Sequence, residues 1–230
     1  MNENEKVKTG GIIAESRAEK WLENFWYHYK WHTIIIGFFL VVLLVCGLQM
    51  CTREVEDSSI LYAGPSYISA EDMGEIERVF ESVMPEDADG NGKKTVILKT
   101  FHLYTKEQIE EIEAETDEYG RHLDVDNAYV VTNTENFFDY VLAGETSICL
   151  LDPSLYENLL ASERLAELSE GVFGVTLGET EIYKSYSALS PLPEDTVICL
   201  LRQNFVGKNS NDDIYEADKR LLEAIIGYTN

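Results

Sequence analysis

The chain has 230 residues, 45% of them hydrophobic and 26% charged, with a formal net charge of −24. That apolar content excludes a wholly disordered chain, and the acidic balance, without a basic stripe, repels nucleic acid and anionic lipid. The imbalance is uneven: residues 1–32 hold five Lys/Arg and five Glu, whereas the remainder holds 37 Asp/Glu against 13 Lys/Arg.

Residues 33–50 (Thr33-Ile-Ile-Ile-Gly-Phe-Phe-Leu-Val-Val-Leu-Leu-Val-Cys-Gly-Leu-Gln-Met50) form an 18-residue run without a charge. At about 1.5 Å per residue such a helix just crosses a hydrocarbon core of roughly 30 Å. Only Thr33 and Gln49 are polar, so the polar stripe of a buried soluble helix is missing. The expected organisation is a tail (1–32), a membrane helix (33–51), a linker (52–59) and one globular domain (60–230). Arg17, Lys20 and Lys30 precede the run, against Arg53 alone just after it. The Lys/Arg bias therefore predicts a cytoplasmic N-terminus and an extracytoplasmic C-terminal domain on the cell membrane. All three tryptophans lie in Lys20–His32, where indole and phenol rings suit the headgroup zone. The long stretch before the run and the lack of a small-x-small site favour an uncleaved anchor over a signal peptide. Leu43-Leu-Val45 before Cys46 and Leu48-Gln-Met50 before Cys51 fit a lipoprotein cleavage site poorly.

Beyond the run, Ile60–Ala63 reads as a strand that breaks at Gly64-Pro65. Ser69 can cap a helix in which Met73, Ile76, Phe80 and Val83 or Met84 recur at helical spacing, and Pro85 stops it. Residues 87–93 form a polar turn, and Thr95–Tyr104 reads as a strand. Lys106–Glu118 predicts a solvated peripheral helix, Ala128–Thr132 a strand, and Glu135–Leu142 a helix. Thr146–Leu151 reads as a buried strand. Asp152-Pro153 then opens a helix, aspartate as cap and proline in the first turn, with Leu155, Leu159, Leu160 and Leu165 inward. Val172–Leu177 and Ile182–Tyr186 suggest a hairpin around Gly178. Thr196–Leu201 is another buried strand, and Asp212 or Asp213 caps a last helix, Ile214–Tyr228. Alternating strands and helices argue for an α/β domain around a mixed sheet. Cys149 and Cys199 sit in near-identical contexts, Ser-Ile-Cys-Leu-Leu and Val-Ile-Cys-Leu-Leu. Buried strand thiols are the expectation, and a disulfide is the alternative if the strands are neighbours.

The stretch Phe137-Phe-Asp-Tyr-Val-Leu-Ala-Gly-Glu-Thr-Ser-Ile-Cys-Leu-Leu-Asp-Pro-Ser-Leu-Tyr-Glu-Asn-Leu-Leu160, continued by Leu165-Ala-Glu-Leu-Ser169, resembles a segment of extracytoplasmic solute-binding proteins of the periplasmic-binding type. In them a helix ends in Ala-Gly-Asp, then come a strand running to Asp, a helix and a closing Asp-Leu-Ser-like motif; Glu145 stands in place of the first aspartate. The residues Phe25-Trp-Tyr-His-Tyr-Lys-Trp-His-Thr33 resemble the signal anchor of Gram-positive, clostridial-type single-pass membrane proteins that carry such a domain. The resemblance implies one lobe of a periplasmic-binding-type fold. Full members bind solute between two lobes, so a single lobe implies a reduced relative with a shallow or absent cleft.

Two constellations could carry chemistry. Asp87-Ala-Asp-Gly-Asn-Gly-Lys93 matches the opening of a calcium loop: side-chain oxygens at Asp87, Asp89 and Asn91, glycine at position six, and the Lys93 carbonyl. Leu98 occupies position twelve, where a bidentate glutamate belongs, so a complete EF-hand is excluded. The alternative is a plain turn, Asn91-Gly92 being a type I′ signal. The loop after the first strand lies at a strand's carboxyl end, where open α/β sheets bind ligands, and makes Tyr62, Ser66 and Tyr67 candidate contacts. Signatures for zinc proteases, nucleophile elbows, phosphate loops and dinucleotide sites are missing. The expected function is non-catalytic: a membrane-anchored domain binding a solute or an envelope partner such as a transporter. No cofactor is required, calcium aside. The alternative is a structural or assembly component of a membrane complex without a small-molecule ligand.

Overall fold

The computed structural model describes residues 17–52, 56–88, 90–116 and 119–229. It divides into two compact units, Met1–Glu54 and Val55–Asn230. Among its described residues the first holds a single helix, α1 (Arg17–Thr52). Within it, Phe25–Leu48 is long and apolar enough to cross a membrane. Every side chain from Phe25 to Leu48 is exposed. At its start, Trp21, Phe25 and Tyr29 stack at four-residue spacing, with centroids 5.5 and 5.3 Å apart. The helix does not break at His32; the aromatic segment and the apolar run share one continuous rod.

The second unit is an α/β domain with a mixed five-stranded sheet. Its strands are β1 (Ser58–Gly64), β2 (Val96–His102), β3 (Ile148–Leu151), β4 (Gly174–Thr176) and β5 (Val197–Leu200). The spatial order is β2-β1-β3-β5-β4. β1 runs parallel to β2 and to β3, while β5 is antiparallel to both β3 and β4. Every residue of β1 and β3 is buried. Such strands are covered on both faces and read as continuous apolar runs.

Alternation sorts these strands into two cores. Ile60, Tyr62, Ile148, Leu150 and Ile198 face α2 (Ala70–Val83), α6 (Glu181–Ser185) and α7 (Asp212–Ile226), which supply Ile76, Phe80, Ile182, Leu221, Leu222 and Ile225. Leu61, Ala63, Cys149, Leu151 and Cys199 face α4 (Asn127–Leu142) and α5 (Pro153–Ala161), which supply Phe137, Val141 and Leu159. Burying each large side chain contributes about 1.5–3 kcal/mol. α3 (Lys106–Ala114) buries no residue and lies at the periphery, as its sparse apolar positions predict.

Several boundaries follow their predicted caps. The Ser69 hydroxyl accepts the N–H of Asp72 at 3.2 Å, and the Asp152 carboxylate that of Ser154 at 2.9 Å. Four features differ. Ser58 and Ser59, expected in the linker, are buried strand residues. The anticipated strand Ala128–Thr132 is the first half of α4: Asp126 caps it through the N–H groups of Ala128 and Tyr129, and Val130, Phe137 and Val141 bury at helical spacing. Tertiary burial here overrides the β-leaning Tyr-Val-Val-Thr run. The anticipated hairpin is absent as well. β4 pairs with β5 instead, and Thr180 caps the short α6 that occupies its second arm. Finally, Asn211 caps α7, accepting from the N–H groups of Asp213 and Ile214, while Asp212 and Asp213 sit in the first turn.

Cys149 and Cys199 lie directly opposite each other on antiparallel β3 and β5. Both are free and fully buried, and burial pushes both thiols well above their ordinary range.

Candidate functional site

β1 sends its chain to α2 on one face of the sheet, whereas β2 and β3 lead to α4 and α5 on the other. Their carboxyl ends therefore open where connections diverge, the position at which open α/β sheets hold ligands. The loops there are Gly64–Ser69 after β1, Leu103–Thr105 after β2 and Asp152–Pro153 after β3.

The larger hollow, about 390 Å³, lies between the loop after β2, the start of α5 and one flank of α4. Leu103, Phe138 and Leu155 make its apolar floor; Thr105, Gln108, Thr134, Asp152 and Ser154 bring hydroxyl, amide and carboxylate groups to it. Thr105 and Gln108 form a capping box at the start of α3. The Gln108 side-chain amide also donates to Asp152 Oδ2 at 3.3 Å, and the Ser154 hydroxyl donates to Asp152 Oδ1 at 2.6 Å. The starts of α3 and α5 are thus tied to each other across the hollow. An apolar floor with a few convergent polar groups is the usual make-up of a small-molecule site.

A second hollow of about 300 Å³ lies on the other flank of α4, lined by Ser66, Tyr67, His102, Tyr129 and Asn133. His102 Nε2 contacts the Pro65 carbonyl at 2.7 Å, and the Asn133 amide donates to the His102 carbonyl at 3.3 Å. The His102 ring meets Tyr104 edge-on at 4.7 Å and Tyr67 at 6.2 Å. Partial burial raises the Tyr104 phenol above its ordinary range, and Tyr129 adds to this.

Of the three contacts expected on the β1 loop, Ser66 and Tyr67 line this second hollow, with Tyr67 79% exposed. Tyr62 does not reach it. Its side chain is buried in the core, its phenol raised by that burial, and its oxygen accepts the Ser66 N–H at 3.2 Å. Tyr62 therefore holds the loop rather than offering a surface. Gly64 is required beside it, because a Cβ there would lie 2.7 Å from the Tyr62 hydroxyl oxygen. The residues of the larger hollow were not anticipated as site residues. The strand-end rule that singled out Gly64–Tyr67 applies equally to Leu103–Thr105 and Asp152.

In the 87–93 loop, the Asp87 carboxylate accepts the Gly90 N–H at 2.8 Å and the Gly92 N–H at 2.6 Å. Asn91 Oδ1 accepts the Lys93 N–H at 2.8 Å. Gly90 and Gly92 have φ of +73° and +86° while Asn91 does not enter the left-handed region, so the type I′ alternative is not the turn adopted. Asp89 lies outside the described residues. Among the described residues, no group of three or more His, Cys, Asp or Glu is placed to hold a metal ion.

The fold and both hollows define an α/β domain with a mixed sheet, joined in sequence to a helix of membrane-spanning length. Comparisons with family models, with curated proteins and with solved structures returned no match.

Proposed function

We propose that the protein is anchored by α1, N-terminus in the cytoplasm, and that its domain binds a solute or an envelope partner outside the cell without catalysis. The anchor is supported by the apolar side chains of Phe25–Leu48, which are all exposed and need a hydrocarbon environment. Its orientation is supported by Lys/Arg on the N-terminal flank. The reading as a single periplasmic-binding-type lobe is supported by the segment that carries the resemblance: the end of α4, β3, α5 and then Leu165 bridging to Leu201.

The observation that carries the binding role is the larger hollow, with its apolar floor and convergent hydroxyl and amide groups at the strand ends. That lining suits a small solute with an apolar body and a hydrogen-bonding edge. The test is a thermal-shift screen of such solutes on the full chain in detergent, repeated on Phe138→Ala and Gln108→Ala. A solute that stabilises the protein and loses its effect in both variants supports the role; stabilisation unchanged in both places the ligand elsewhere. Calcium at the 87–93 loop belongs to the same proposal, supported by Asp87 receiving the N–H of the position-six glycine.

A further inference from the structure

Of the two edges of the sheet, β4 has three residues and β2 has seven. A long edge strand displays alternate N–H and C=O groups that can pair with another chain. Leu103, just past β2, donates its N–H to the Gly64 carbonyl of β1 at 2.9 Å. That sets the inward phase, so Val96, Leu98, Thr100 and His102 turn their backbone groups away from β1.

Two of these outward N–H groups are taken by α2. Glu77 Oε1 accepts the Leu98 N–H at 2.8 Å, and Glu81 Oε1 accepts the Val96 N–H at 3.2 Å. Four helical residues advance about 6 Å and two strand residues about 6.6 Å, so carboxylates at i and i+4 match every second amide of the strand. The ladder continues for one more rung. Met73, four residues before Glu77, meets Thr100, whose hydroxyl lies 3.9 Å from the Met73 sulfur. At the far end, the Asn133 amide of α4 takes the His102 carbonyl at 3.3 Å. Side chains from two helices thus lie where a sixth strand would pair.

Packing alone does not ask for glutamate at these positions. Both side chains are half-buried, and a carboxylate loses hydration on being drawn in. What each gains is a charge-assisted hydrogen bond to an amide that another chain would otherwise take. The chain that fits this edge is a second copy. β2 set antiparallel against its own two-fold mate joins identical edges and closes after two subunits. Ile97, 43% exposed on β2, is the apolar side chain such pairing covers.

We infer that Glu77 and Glu81 shut the β2 edge against a second copy of this chain, so that losing both acceptors turns β2 into a two-fold pairing surface.

The test compares the full chain in a nonionic detergent with E77A/E81A, which removes both acceptors, and with E77Q/E81Q, which keeps an amide oxygen at each position and removes the charge. Protein mass is read by light scattering with the detergent contribution subtracted, and amide hydrogen exchange is read at Val96 and Leu98. Diluted to the parent's mass, E77A/E81A should exchange these two amides about tenfold faster or more. Concentrated, it should double in mass and regain their protection, while E77Q/E81Q keeps the parent's mass throughout. E77A/E81A that keeps the parent's mass when concentrated overturns the inference. So does association that leaves Val96 and Leu98 unprotected, because the copies are then joined elsewhere. Association of E77Q/E81Q overturns it too, since repulsion between carboxylates, rather than occupied amides, then held the edge shut. If circular dichroism shows E77A/E81A unfolded, E77A alone, which frees the Leu98 N–H, takes its place with the same outcomes.

Discussion

The two ends of the sheet are built on opposite plans. At the carboxyl ends of β1–β3, the hollows are bounded by helix caps and by a peripheral helix, α3, that buries nothing. At the amino ends, Asn209 and Thr146 are buried polar groups bonded to backbone carbonyls, buried Asp218 accepts the Ser58 hydroxyl, and Gly207, at φ +86° against the Ala143 carbonyl, allows no side chain. Low burial marks regions that open locally, and a satisfied buried network marks those that do not. The contrast teaches that the hollows can adapt to an occupant, while the opposite end of the sheet is held rigid.

Gly207→Ala breaks that contrast most severely. Both the left-handed backbone and the close carbonyl oppose a Cβ, so the variant should lose more than about 3 kcal/mol in urea unfolding. A loss under about 1 kcal/mol would show that this end of the sheet is not held rigid.

The next effect comes from Asp218, which accepts the Ser58 hydroxyl at 2.5 Å. Burial raises its carboxyl to about 6, while Ser147, Ser58 and Lys208 pull it back down. Lys208 is itself shared with Glu56. The raised group favours the folded state fully below its unfolded value near 4, and that contribution fades as pH rises through 6. The fading is worth about 2–3 kcal/mol. Asp218→Asn should remove this component, so the variant gains on the parent protein between pH 4 and pH 7. Parallel stability–pH curves would refute the buried-acid description.

At the hollow, Thr105→Ala removes one partner of the capping box and should cost about 1 kcal/mol. Hydrogen exchange should quicken in α3 and leave α7 unchanged. Calcium gives the smallest expected effect. With a Kd near millimolar, a few millimolar of the ion stabilises the full chain by about 0.4–1 kcal/mol. Asp87→Ala should abolish the gain, and an unmoved melting curve would remove the cation from the account.

The buried centre was the most legible part of the chain. Ile60–Ala63, Thr146–Leu151 and Thr196–Leu201 read as strands, and the structure places β1, β3 and β5 there, with bounds that differ by no more than two residues at either end. Caps written in one or two side chains, such as Ser69 and Asp152-Pro153, were equally plain. What failed depended on partners distant in sequence. Ala128–Thr132 looks extended until Phe101 of β2 offers a surface for Phe137 of α4 to bury against, with ring centroids 6.0 Å apart. Val172–Leu177 looks like half a hairpin until β5 offers its edge. The site was legible only by rule. Strand ends pointed to Ser66 and Tyr67, but which flank of α4 would hollow out depends on Phe138 and Leu155, which local pattern cannot place.

The account's central claim is that α1 crosses the membrane and presents the domain outside. Protease added to intact cells stripped of their wall tests it most directly, with the product followed by a tag after Asn230. The account predicts that the domain is digested from outside while the carbonate-washed membrane retains a fragment containing Phe25–Leu48. A tag that stays intact until the cells are lysed, or a full chain released by carbonate, would contradict it.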